Sequence, residues 1–381
     1  MLESIKHYFK RYDYKKFNIT LMVVVVIISL IGAFLVKQVE LEGENLFLKQ
    51  LAGLAGGIFL ALIVAVIDYH FICSFYIILY IINMILLVYV KLFGVNLNEA
   101  QRWIQIGPIQ FQPSELTKII LILFVAMYFT HLRARINNFF VLAISVVAIA
   151  IPVYFILEQP NLSTSLVILF IFATMVFVAG ISWKIILPIL VIGIPVVFGL
   201  FWYIQQDYQV LLNPYQRNRI LSIITPEEYP AIMYQQDLSK MAVGTGQLTG
   251  KIFAEGDAGK RVYDRIPISE SDFIFSVAGE EFGFLGCCII IALYAVIIYI
   301  CLTTARKAPD YLGMLIAIGL ASMFTFQVFV NVGVVTALLP NTGIPLPFLS
   351  SGLSSMISGM IAVGLILNIR MQPQKTRSYH K

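Results

Sequence analysis

Charge is scarce in this chain: 12% of its 381 residues are Asp, Glu, Lys or Arg against 59% hydrophobic, and the mean hydropathy is +0.87. Soluble domains carry about twice that share of charge, so a water-soluble enzyme is excluded and a multi-spanning membrane protein remains. Cysteine is scarce as well. Cys73, Cys287, Cys288 and Cys301 all lie inside apolar runs, which excludes a disulfide framework and any CxxC metal spacing. The four histidines, His7, His70, His131 and His380, fall near the termini or at helix ends that the charge pattern below assigns to the cytoplasm. Chemistry on the opposite face must therefore run without imidazole. No cleavable leader is expected, because the first 17 residues are polar and basic and the apolar run after them is long enough to span. No fixed-period repeat or low-complexity tract is present. The GTGQLTG run at Gly244 to Gly250 lacks the strand and helix of a dinucleotide fingerprint and reads as a flexible turn near the site, and no nucleic-acid partner is expected.

What is abundant is long apolar segments. Runs of about 20 residues cross a bilayer core of about 30 Å. Ten are predicted, near 18–37, 49–67, 70–91, 114–131, 137–157, 162–180, 183–204, 273–302, 311–338 and 350–369. The fold class read from them is all-α: a polytopic membrane protein in one domain over 1–381. Segments on one side hold Lys6, Lys10, Arg11, Lys15, Lys16, Arg133, Arg135, Lys184, Arg306, Lys307, Arg370, Lys375, Arg377 and Lys381. The short loops on the other side hold only Lys37, Lys49, Lys91 and Arg102. The positive-inside rule then puts both termini in the cytoplasm.

Two outer regions depart from a plain bundle. Residues 93–113 are too polar to span and too rich in Trp103, Ile104, Ile106 and Phe111 to be a solvated loop, so an interfacial outer loop is expected. Residues 205–272 form the large extracellular loop, the fourth on that side. Within it Tyr234, Leu238, Met241 and Ala242 are spaced for a short amphipathic helix at the surface.

The working centre is placed at 266–286, IPISESDFIFSVAGEEFGFLG. Asp272 falls where a polar loop enters an apolar run, in the first turn or cap of a long helix, with Ser269 as partner in a variant capping box. A helix N-terminus would keep it ionised, able to accept a proton from a hydroxyl nucleophile or to hold a divalent cation. Glu280 lies eight residues on, roughly 12 Å deeper on the same face as Ser276, and Glu281 points to a neighbouring face. Such groups cost about 2.5 to 3.5 kcal/mol each near a bilayer centre and face a protein interior or watery cavity. In FQPSELTK, Pro113 suits the first helical position, Glu115 complements the dipole, and Lys118 lies one turn deeper. That pair is either architectural or lines a cavity for an anionic headgroup. Arg217 and Arg219 in NPYQRNR are either solvated charge or a pyrophosphate clamp. Asn161 and Ser163 in EQPNLSTS are capping residues, and the prolines of LPNTGIPLPFLSSGLSS break helical continuity as a cavity wall would.

Together AQRWIQIGPIQFQPSELTK (100–118), EQPNLSTS (158–165), YQRNR (215–219), SKMAVGTGQLTGK (239–251), SDFIFSVAGEEFGFLG (271–286) and LPNTGIPLPFLSSG (339–352) resemble the SEDS family, the RodA, FtsW and SpoVE group. The resemblance implies ten helices and a peptidoglycan glycosyltransferase that polymerises lipid II outside the bacterial cytoplasmic membrane, beside a class B penicillin-binding protein. It implies Asp272 as the essential catalytic aspartate and as a metal ligand for Mg or Mn. By the same resemblance Glu115 and Lys118 match the paired charges of the fourth helix; the candidate substrate-cavity residues are Arg102, Gln112, Glu115, Lys118, Arg217, Arg219, Lys240, Glu280, Glu281 and Ser350. The chain departs from the family pattern at RIPISESD before the aspartate, at Ser163 in place of glycine, and at SSGLSS. Elongation, division and sporulation stay open as roles. So do a lipid II flippase using the intramembrane charges as its path, and a scaffold that tolerates their loss.

Overall fold

The computed structural model of the protein describes residues 12–41, 45–97, 100–107, 109–212, 214–254 and 260–373. Helices α1 (Ile19–Val39), α2 (Leu46–Val66), α3 (Tyr69–Ser74) and α4 (Tyr76–Phe93) are followed by strands β1 (Val95–Leu97), β2 (Ala100–Ile106) and β3 (Ile109–Phe111). Then come α5 (Pro113–His131), α6 (Phe139–Glu158), α7 (Leu162–Val178), α8 (Trp183–Gln205), α9 (Pro214–Ile224), α10 (Pro230–Thr245), α11 (Ile274–Arg306), α12 (Tyr311–Val335) and α13 (Leu353–Met371). Among the described residues nine helices are long and apolar enough to cross a membrane, and the 17-residue α7 is a tenth, shorter apolar helix. The polytopic all-α reading stands. The predicted third span divides into α3 and α4 at Phe75. The calls on Lys6, Lys10, Arg11, Lys375, Arg377 and Lys381 lie outside the described residues.

Polar residues at the span ends start the helices by accepting orphan amides: Asn18 from Leu21, Asn138 from Phe140, Asn161 from Thr164, Ser182 from Lys184 and Asp310 from Gly313. Helices α5, α12 and α13 are the most buried and form the centre, whereas α8 presents no buried residue among those described and stands at the periphery. Small residues allow close approach. Gly32 of α1 sits against the Leu349 backbone, and Gly364 of α13 against Ala61 and Val64 of α2.

The 93–113 segment is an antiparallel meander, β1-β2-β3, with Ile104 opposite Phe111 and Ile106 opposite Ile109. The segment expected as an interfacial outer loop thus carries strand structure of its own. The surface helix expected near Tyr234 is α10, but it packs inward against α11 and α12. Leu238 and Ala242 are buried while Tyr234 and Met241 are exposed. Its buried polar side chains finish α12: Gln236 donates to the Val334 and Leu339 carbonyls and Ser239 to Val335.

Several loops meet at one end of the bundle. Arg102 of β2 donates to the Gln159 and Pro160 carbonyls, Ser163 to Thr342, and Asn341 to Gln235. At the opposite end His70 bridges Asp68 at 2.7 Å and Asp310 at 2.5 Å, and Asn368 ties Tyr69 to the Ala65 carbonyl.

Candidate active site

Helix α11 is not continuous. Gly283 interrupts it with φ 67° and ψ −167°, leaving main-chain groups open at membrane depth. The 246–252 turn fills the gap. Lys251 and Ile252 amides donate to the Glu280 and Glu281 carbonyls, and Phe284 and Leu285 amides donate to Gln247 and Leu248. Glycine is required on both sides: a Cβ on Gly283 would stand 2.3 Å from the Gly250 nitrogen, and one on Gly250 (φ 81°) would stand 2.0 Å from the Glu281 carbonyl oxygen.

The two glutamates seal this splice. Glu280 is fully buried and accepts from Lys251 Nζ at 2.7 Å, Thr245 at 3.2 Å, the Val262 amide at 2.9 Å and the Tyr263 amide at 3.1 Å. Glu281 accepts from Arg261 Nε at 2.6 Å and from the Tyr263 hydroxyl at 2.7 Å. Burial, and then the Glu281 carboxylate, hold the Tyr263 phenol well above its usual range, so it stays a donor. Both glutamates are buried. Both carboxylates fasten Thr245, Lys251 and residues 261–263 to α11, a structural use beside the cavity role expected of them.

Asp272 lies at the other end of the same stretch. The cap position of α11 is Phe273 and the helix starts at Ile274, so the expected capping box with Ser269 is replaced by a loop position. Its main chain is held tightly. The carbonyls of Glu270, Ser271 and Asp272 accept, in order, from the Ser351 amide at 2.8 Å, the Ser350 hydroxyl at 2.6 Å and the Asn331 amide at 2.8 Å. Its part-buried carboxylate accepts from the Ser271 hydroxyl at 3.0 Å.

The remaining predicted residues divide sharply. Glu115 and Lys118 form a closed pair, Lys118 Nζ reaching both carboxylate oxygens at 3.0 and 2.9 Å, with both residues buried. Beside it Thr117 donates to Asn83 at 2.6 Å, and Ser358 to the Glu115 carbonyl at 2.8 Å. Lys118 also borders a small apolar pocket with Leu121, Ile149, Phe172 and Met175. Of the two readings of Arg217, solvated charge or pyrophosphate clamp, neither describes its contacts here: the guanidinium donates to the Ile204 and Gln205 carbonyls at the end of α8 and to Asp207. Arg102 is likewise committed to main-chain carbonyls, and Lys240 is exposed and paired with Asp237 at 2.7 Å. The Gln112 amide donates to Ser354, fixing the start of α5 against α13. The Arg219 side chain lies outside the described residues. Ser350 is part of the Asp272 support, donating to Ser271 while accepting from the Leu346 amide at 2.8 Å.

Among the described residues no three acidic, His or Cys side chains converge to hold a metal. Asp272 therefore has no cluster of three such side chains about it among the described residues, and these residues do not by themselves build a metal site.

The missed residues are Asn331, Lys251, Arg261 and Tyr263. A single Asn in the apolar run FVNVGVV is the signal that marks the first, since a polar group at membrane depth needs a partner.

Residues 14–375 match the family model for FtsW, RodA and SpoVE, described as "Cell cycle protein". The peptidoglycan glycosyltransferase MrdB of Escherichia coli K12 is 35% identical over 294 residues, 76% of each chain. Stage V sporulation protein E of Bacillus subtilis is 36% identical over 297 residues, 76% of this chain and 77% of that one. A probable peptidoglycan glycosyltransferase FtsW of Trichlorobacter lovleyi is 31% identical over 97% of this chain and 96% of its own. A solved peptidoglycan synthase complex ("Structural coordination of polymerization and crosslinking by a peptidoglycan synthase complex") contains a chain 29% identical with TM-score 0.77, covering 94% of this chain and 97% of that one. The crystal structure of Thermus thermophilus RodA is 27% identical with TM-score 0.67, covering 94% and 96%. The chain belongs to the FtsW, RodA and SpoVE family.

Proposed function

We propose that Asp272 is the general base of glycan-chain growth in this protein, which is a multi-pass cytoplasmic membrane protein and a peptidoglycan glycosyltransferase. The observation that supports this reading is the contrast within one short stretch: the main chain at 270–272 is anchored at three successive carbonyls while the Asp272 carboxylate is only part-buried. A carboxylate held that way can be presented to a reacting hydroxyl without moving its scaffold.

In the reaction, the acceptor sugar hydroxyl of lipid II gives its proton to Asp272 as its oxygen bonds the anomeric carbon of the growing strand. The bond from that carbon to the lipid pyrophosphate breaks, and the pyrophosphate leaves with the electron pair. One carboxylate suits this single inverting displacement, whereas a retaining scheme needs two about 5 Å apart. A divalent cation, Mg or Mn, would travel with the pyrophosphate and take Asp272 as at most one of its ligands; no step here depends on it. The chain works as one domain with both termini cytoplasmic, its 205–272 segment outside, and a class B penicillin-binding protein as transpeptidase partner. The flippase reading is not favoured, since Glu115, Lys118, Glu280 and Glu281 are all buried in closed pairs rather than set along a path.

The test is a gel assay of purified protein with labelled lipid II. Wild type should give strands and Asp272→Asn should give none. Strands from the variant would overturn the assignment. Synthesis that stops in chelator and returns with Mg or Mn would support the cation, and indifference to chelator would remove it.

A further inference from the structure

Asn331 lies in the middle of the molecule's argument with the membrane: a primary amide on the 25-residue apolar helix α12, 1% exposed. Its Nδ2 has two hydrogens and both are used, one on the Asp272 carbonyl at 2.8 Å and one on the Ile344 carbonyl at 2.7 Å. Its Oδ1 is buried with no hydrogen-bond partner among the described residues. The orientation is therefore forced, because the flipped amide would set Oδ1 against two carbonyl oxygens. An apolar helix that accepts an unpartnered buried oxygen in order to donate twice is holding something in place.

What it holds is the junction of two segments that share no helix. Asp272 ends the 206–273 segment, and Ile344 belongs to the 336–352 connection whose Ser350 and Ser351 pin Ser271 and Glu270. The two serine pins come from a connection without helical structure, while Asn331 comes from a central helix. Asn331 alone of the three references both segments to the rigid bundle.

We infer that Asn331 is a positioning residue for glycosyl transfer, fixing the Asp272 main chain and the facing 344–351 wall in one register so that the carboxylate meets the acceptor hydroxyl. The inference rests on the reading of Asp272 as general base. Asn331 touches neither substrate nor the reacting atoms, so its loss should act on turnover and leave lipid binding alone.

The experiment measures strand synthesis from lipid II, and thermal midpoints, for wild type, Asn331→Asp, Asn331→Ser, Ser322→Ala and Asp272→Asn. Asn331→Asp sets a carboxylate against two carbonyls, and should lower kcat by about 100-fold at a KM within about twofold of wild type, the loss expected when a reacting group is misplaced by about 1 Å. Asn331→Ser keeps one donor and should recover part of kcat, which a general packing defect would not do; it carries the test if the Asp variant does not fold. Ser322→Ala removes a buried hydroxyl from the same helix and should retain wild-type kcat. Full kcat in a folded Asn331→Asp, or kcat and KM moving together with the thermal midpoint, would overturn the inference, as would an equal loss from Ser322→Ala. Strand synthesis by Asp272→Asn would instead sink the reading beneath it. An inactive Asp272→Asn beside fully active Asn331 variants would sink the positioning role alone.

Discussion

Asp272 and Glu280 are eight residues apart on one stretch and have been put to opposite uses. Glu280 is fully buried, with four groups donating to its carboxylate, and its main-chain carbonyl is taken by Lys251. Asp272 has its main chain anchored and its carboxylate part-buried, accepting from a neighbouring hydroxyl. A carboxylate whose lone pairs are filled by fixed donors is stabilised as a charge and becomes part of the frame. One that is only part-buried on a fixed backbone can be presented to a hydroxyl for proton transfer. The difference lies in what is held and how deeply: the carboxylate of Glu280 in the buried frame, the main chain of Asp272 at the mouth of the helix.

The largest expected effect comes from emptying the site: Asp272→Asn should abolish strand synthesis, by at least about 100-fold, with little change in thermal midpoint, because it deletes the base and leaves the backbone pins. Next is the frame. Glu281→Ala removes the carboxylate that Arg261 and Tyr263 donate to in a largely buried setting, and one-sided loss of such a pair costs about 3 to 5 kcal/mol, so the midpoint in detergent should fall by several degrees. Synthesis would then fall only in step with the folded fraction. Gly283→Ala puts a Cβ against Gly250 in a backbone conformation that costs about 1 to 3 kcal/mol even without the clash, and should raise protease sensitivity between 246 and 263.

The smallest effect is at the far end of the bundle, where hydrogen bonds to Asp310 and then Asp68 raise the His70 imidazole to about 9. The folded value lies above the unfolded value of 6.5, so this contribution is fully present below about pH 6.5 and is lost as pH rises through about 9. Thermal midpoints of wild type and His70→Gln should therefore differ most at pH 6 and converge by about pH 10.

Much of this was legible in the residues. Ten apolar runs marked the helices to within a few positions, because burying backbone in lipid leaves few alternatives to a helix. The segments carrying Asp272, Ser350 and the Glu115–Lys118 pair were singled out by chemistry, as polar groups at span ends. The roles of Arg102 and Arg217 were not legible, since their acceptors are main-chain carbonyls at distant turns and no side-chain pattern announces a carbonyl. The Gly283 break was hidden by hydropathy that runs unbroken past it, although Glu280 and Glu281 followed by Gly283 in an apolar run carried the hint. The meander was written in the alternation of Trp103, Gln105 and the residues around Gly107, too short a pattern to weigh against its apolar setting.

The most direct measurement compares Asp272→Asn with Glu281→Gln side by side, reading strand synthesis from lipid II and thermal midpoint on the same preparations. The account predicts a folded, inactive Asp272→Asn and a destabilised Glu281→Gln whose remaining folded fraction still makes strands. An active Asp272→Asn, or a fully folded Glu281→Gln that makes no strands, would contradict it.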